Sequence, residues 1–131
     1  MKDSFIDKYF TAVKSDDWTT VNSILESETI VNEQDEENRS ALFYAAKNNN
    51  TKMADILLEN RIDINIRDKE GFDVVLYAAF LGQTEFIQHL QDKGLNLHQN
   101  DFEGKSPLMM AAISDSVETA EYLINQYFDV N

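Results

Sequence analysis

Apolar and polar positions recur along this chain every 33 residues without an insertion. Ala12, Ala45, Ala78 and Ala111 form one column, and Leu42, Val75 and Leu108 a second. Ile24, Leu57, Leu90 and Leu123 form a third, and Val31, Ile64, Leu97 and Val130 a fourth. Burial fixes a fold, so aligned apolar columns weigh more than matching loop residues, and a period of this length reads as a stacked array. The polar punctuation keeps the same register: Asp35, Asp68 and Asp101 open successive segments, and Asn32, Asn65, His98 and Asn131 close them.

Inside one period the apolar spacing is helical. Leu42, Ala45 and Ala46, then Met53, Ile56 and Leu57, recur at separations of three and four, with an interruption at Asn48-Asn49-Asn50. Each period therefore predicts two short helices. The alanine pairs Ala45-Ala46, Ala78-Ala79 and Ala111-Ala112 lack bulk, which lets helix axes approach toward the lower end of the roughly 8–10 Å range. Asp68-Lys69-Glu70-Gly71 and Asp101-Phe102-Glu103-Gly104 place Asp first and Gly fourth, as a type I turn prefers, so a turn-bearing loop joins one helix pair to the next.

These features resemble the ankyrin repeat. Asp101-Phe102-Glu103-Gly104-Lys105-Ser106-Pro107-Leu108-Met109-Met110-Ala111-Ala112 is the nearest copy of the family pattern, and Arg61-Ile62-Asp63-Ile64-Asn65 matches its closing element. The resemblance implies an all-α fold, a solenoid of stacked helix-turn-helix repeats with about four units. It predicts a single domain over 1–131, with a capping repeat at 1–34 and repeats at 35–67, 68–100 and 101–131. The histidine of the family motif is replaced by Phe43, Leu76 and Met109, and its Thr-Pro step survives only as Ser106-Pro107. Single units are then expected to lean more on contacts with their neighbours.

The first unit has no opening turn. It carries Phe5, Ile6, Tyr9, Phe10 and Val13 on one helical face and Trp18, Val21, Ile24 and Leu25 on the next, as a cap would. At the other end two expectations stand side by side. Either the last helix tolerates solvent through Glu118, Glu121 and Asn125, or the chain is a piece of a longer protein.

Composition narrows the function. A chain of 131 residues, 43% hydrophobic, can bury a core, and no apolar run approaches the roughly 20 residues that span a bilayer. The start Met1-Lys2-Asp3-Ser4-Phe5 has no apolar core of a secretory signal, and cysteine is absent, which is compatible with a reducing cytoplasm. A net charge of −13 repels nucleic acid and anionic lipid. The excess is uneven, with 7 acids against 3 bases in residues 1–34 and 6 against 1 in residues 101–131. It has two readings, solubility of an apolar array or faster encounter with a basic partner.

Catalysis finds no support. Gly-x-Ser-x-Gly, a phosphate-cradling glycine loop and His-Glu-x-x-His are all missing, and Asp16-Asp17 and Glu36-Glu37 are adjacent residues rather than carboxylates facing across a cleft. His89 and His98 sit in repeat columns as substitutions, so no metal or other cofactor is expected.

The reading is a non-enzymatic module that binds a protein partner, with neither nucleic acid nor membrane as ligand. Its alternative is a small acidic inhibitor or immunity-type protein masking a basic surface of a toxin or nuclease. By repeat geometry the contact positions are Glu36, Glu37, Arg39 and Lys47, then Lys69, Glu70, Phe72, Phe80 and Leu81, then Phe102, Glu103, Lys105 and Ile113. Asn48 and Ser114 fall in the same strip. The resemblance points to the same positions. Phe72, Phe80 and Phe102 are expected to form one partly exposed cluster ringed by polar groups.

Overall fold

The computed structural model describes residues 2–128, with side chains described for 4–126. Val130 and Asn131, which close two of the sequence columns, lie outside the described residues. Eight helices follow one another: α1 (Lys2–Lys14), α2 (Trp18–Ser27), α3 (Ala41–Lys47), α4 (Thr51–Glu59), α5 (Val74–Leu81), α6 (Thr84–Asp92), α7 (Pro107–Ile113) and α8 (Val117–Phe128). The described residues contain no strand. Consecutive helices pair as hairpins, and α1, α3, α5 and α7 stack on one another as a front row, with α2 on α4 and α6 on α8 behind. This is the all-helical solenoid that the register predicts.

The apolar columns make the core. Ala12, Ala45, Ala78 and Ala111 are buried, as are Ile24, Leu57, Leu90 and Leu123. At the position of the lost motif histidine Phe43 packs against Tyr77 at 5.5 Å, and its counterpart in the first unit, Phe10, packs edge-on against Tyr44 at 6.1 Å. Both pairs join residues 34 apart in sequence, so the same contact is repeated one unit further on. In these two units an aromatic contact occupies the place of the motif histidine.

The helix starts are capped by varied residues. Asp73 Oδ1 accepts from the Leu76 N–H at 2.9 Å, and Ser106 Oγ from that of Met109 at 3.2 Å. Asp17 and Asn50 cap α2 and α4 in the same way. Each such cap satisfies an orphan helix donor and contributes about 1 kcal/mol. Asp73 is buried, and that burial pushes its carboxyl pKa up against the lowering effect of the Leu76 N–H.

The repeat is also written in backbone angles. Asp16, Asn49, Gly82 and Asp115, at the bend inside each hairpin, all have φ between 51° and 76°. Asn38, Gly71 and Gly104, in the turns between hairpins, lie at 62°, 84° and 85°. Asn and Asp tolerate this left-handed region better than other residues with a Cβ, which is why so few glycines suffice.

The first helix pair packs its apolar face against the second pair, with one departure from the expected face. Tyr9, Phe10, Val13, Val21 and Ile24 are buried, and the Tyr9 hydroxyl donates to the Val31 carbonyl at 2.9 Å. Trp18, expected on the core face, is instead exposed, with the Lys52 ammonium 3.6 Å from its ring centre. In the last pair, Glu118, Glu121 and Asn125 are exposed, and so are Met109, Val117 and Ile124.

Candidate protein-interaction surface

Three turns of one design carry most of the expected contact residues. In each, the opening aspartate accepts two backbone N–H groups on Oδ1: Glu37 and Arg39 on Asp35, Glu70 and Phe72 on Asp68, Glu103 and Lys105 on Asp101, all at 2.7–3.0 Å. The aspartate's own N–H donates to the carbonyl four residues on, closing the loop. A carboxylate that accepts several N–H groups is held rigidly, so the side chains between are presented at a fixed angle. Glu36, Glu37, Lys69, Glu70, Phe102 and Glu103 are exposed at these tips. Neighbouring turns are tied together by the Lys69 N–H donating to the Glu37 carbonyl at 3.0 Å.

The front-row helices supply the second edge of the surface. Lys14, Lys47, Phe80 and Ile113 occupy one column at the helix C-termini, so the surface passes from two cations to two apolar side chains. Phe80 is 40% exposed, Leu81 38% and Ile113 59%, enough to leave an apolar centre in contact with solvent. The Phe72 and Phe80 rings pair at 6.3 Å. Phe102 does not join them as a third ring among the described contacts; it lies over Gly71, with the Arg67 guanidinium 5.5 Å from its ring centre. The expected cluster is therefore a phenylalanine pair plus a neighbouring ring held by the turn.

Two expected contact residues are engaged within the chain. Lys105 Nζ lies 2.6 Å from Glu103 and 3.9 Å from Asp101, at the tip of its own turn. Arg39 points into the stack rather than outward. Its Nε donates to Asp68 Oδ2 at 3.2 Å, its guanidinium carbon lies 4.6 Å from the Tyr77 ring centre, and its side chain is 23% exposed. A guanidinium stacks on an aromatic face and pairs with a carboxylate at once, and a charged position read from sequence alone does not reveal that use.

The sequence reading missed a groove. Between α1 and the first turn lies a cavity of about 690 Å³, floored by Phe10 and Tyr44 and rimmed by Asp7, Glu36 and Glu37, with Lys14 at one side. The Tyr44 hydroxyl donates to the Asp35 carboxylate. Burial first, and then that carboxylate, push the Tyr44 pKa well above the ordinary tyrosine value. The signal for this groove was present in sequence as a substitution in register, Ile6 and Thr11 standing where the next unit has Arg39 and Tyr44.

His89 lies behind, where Nε2 is 2.6 Å from Asp55 and Lys93 approaches the same carboxylate at 3.5 Å. Burial raises the Asp55 pKa, and the His89 hydrogen bond and charge, with Lys93, outweigh it, so the net shift is downward. The group joins α4 to α6 and so acts as a strut. No group of three metal-ligating side chains occurs among the described residues, and no described helix is long and apolar enough to cross a membrane.

A family model described as Ankyrin repeats (3 copies) matches residues 9–101 and again 61–131. The chain belongs to the ankyrin-repeat family. No curated protein matches it.

Proposed function

We propose that this chain recruits a protein partner through the strip formed by its turn tips and the C-terminal ends of its front-row helices. Membership in a family of general protein-interaction modules supplies the activity class. The observation that carries the choice of face is the apolar centre at Phe80, Leu81 and Ile113, half exposed beside the Phe72 ring. Half-exposed rings within a polar surround are how binding hot spots are built. Glu36, Glu37, Lys47, Lys69, Glu70, Phe102, Glu103 and Lys105 form the surround, in which Arg39 acts from within by fixing the second turn. The fold gives no particular support to an inhibitor that masks a toxin.

The test is the double variant Phe80→Ser with Ile113→Ser. Helical content and melting should stay close to the parent, while affinity capture with mass spectrometry should lose the partner that the parent retains. Unchanged capture would move the binding face elsewhere, and loss of folding would make these side chains core.

A further inference from the structure

The two grooves on the turn side are built from the same parts, and only one of them is closed by a guanidinium. In the groove between the second and third helix pairs, Asp68 and Tyr77 hold the Arg39 guanidinium between carboxylate and ring. One period earlier the equivalent carboxylate is Asp35 and the equivalent ring is Tyr44, but the residue in register with Arg39 is Ile6. Thr11 stands where the second groove has the ring of Tyr44, so the first groove loses bulk at two positions and opens to about 690 Å³.

The charge changes in the same direction. Gln34 and Glu36 replace Arg67 and Lys69, which leaves Asp7, Asp35, Glu36 and Glu37 facing the cavity against the single ammonium of Lys14. That ammonium lies 4.7 Å from the Tyr44 ring centre, and the Tyr44 hydroxyl, which Arg39 also approaches, bonds to Asp35. A carboxylate offers about four acceptor positions. Asp35 uses three of them, for the N–H groups of Glu37 and Arg39 and the Tyr44 hydroxyl.

The geometry points to the first groove as the seat of an arginine side chain from the partner protein, held between Asp35 and the Tyr44 ring as Arg39 is held one unit later. The recognition chemistry is the one the chain already uses on itself: a planar cation that meets a carboxylate while stacking on a ring, which a lysine ammonium cannot reproduce. Glu36, Glu37 and Asp7 at the rim steer basic residues flanking that arginine. This inference rests on the proposed protein-binding role and names the chemistry of the partner's anchor.

The probe is N-acetyl-arginine N-methylamide, titrated at physiological salt into isotopically labelled protein and followed by NMR. Shifts should concentrate in residues 6–14 and 34–44, with the lysine analogue weaker by threefold or more and the neutral citrulline analogue giving none at the same concentrations. Glu36→Gln with Glu37→Gln, exposed changes that spare the turn hydrogen bonds, should weaken arginine by threefold or more. Ile6→Arg should fill the groove from within and abolish the shifts. Equal response to lysine or citrulline, shifts spread evenly over the acidic surface, or a double variant with unchanged affinity would overturn the inference. The two readings separate cleanly. A Phe80→Ser, Ile113→Ser chain that still captures its partner and still seats arginine sinks only the apolar strip, whereas partner capture with no arginine seat sinks only the groove.

Discussion

The groove between the first and second helix pairs and the groove between the second and third share an aspartate-centred turn, a tyrosine and a stacked helix, and they differ in what occupies the space between. In the later groove Arg39 closes it, and the Asp68 side chain is 1% exposed. In the earlier one Ile6 and Thr11 are too short to reach across, and Asp35 stays partly exposed beside an open cavity. A repeat array thus uses one scaffold for two ends. In the second groove the chain supplies a guanidinium that pairs with the aspartate and stacks on the ring; in the first it supplies only the Lys14 ammonium over the Tyr44 ring and no guanidinium to Asp35.

The largest effect that tests this contrast is Arg39→Met. Removing the guanidinium leaves a buried carboxylate with only backbone partners, and the chain should lose about 2 kcal/mol in urea unfolding. A loss below about 0.5 kcal/mol, within the range of ordinary surface changes, would mean that Arg39 does not clamp the second groove. A smaller effect is expected of Tyr44→Phe, which removes the hydroxyl bonded to Asp35 and should cost about 1 kcal/mol.

Tyr77→Phe should be closer to neutral, because the Tyr77 ring face is what Arg39 uses. Burial pushes both tyrosine pKa values up, and at Tyr44 the Asp35 carboxylate adds to it. The folded-state pKa of Tyr44 is raised, so its contribution is fully present below the ordinary tyrosine value of about 10 and is lost as pH climbs beyond it. Unfolding monitored from pH 8 to 11 should therefore show a shallower alkaline loss in Tyr44→Phe than in the parent; parallel curves would contradict the assignment. The smallest effect is expected of Ile6→Arg. It trades a partly buried apolar contact for a charge pair, and stability should stay within about 1 kcal/mol of the parent. A much larger loss would show that Ile6 is needed by the core and that the two grooves are not interchangeable.

Much of this fold was legible because burial repeats. The alanine and leucine columns gave the helix hairpins, and the Asp-first, Gly-fourth spacing gave the turns, since both depend on local spacing and residue size. The left-handed bend inside each hairpin was not legible, because Asp16, Asn49, Gly82 and Asp115 share a backbone angle and not a residue type. Trp18 was misplaced for a related reason: helical periodicity assigns a face, and at the helix start that face lies at the surface, where Lys52 of another helix meets the ring. The contact strip was legible as a set of positions, while the use of each was not. Arg39 and Phe102 fall at equally plausible positions, yet one is drawn inward by Asp68 and the other is laid over a glycine by the following turn. Such choices depend on side chains about one unit away, beyond the reach of any local pattern.

That glycine has a consequence for how the sequence can drift. A Cβ built on Gly71 would come within 2.4 Å of the Phe102 ring, whereas one on Gly104 would meet nothing within 4 Å. Asn38 fills the corresponding site in the preceding turn without difficulty. The constraint between positions 71 and 102 runs one way: an asparagine can enter at the first only after the aromatic has left the second, so relatives with a side chain at 71 should lack the aromatic at 102.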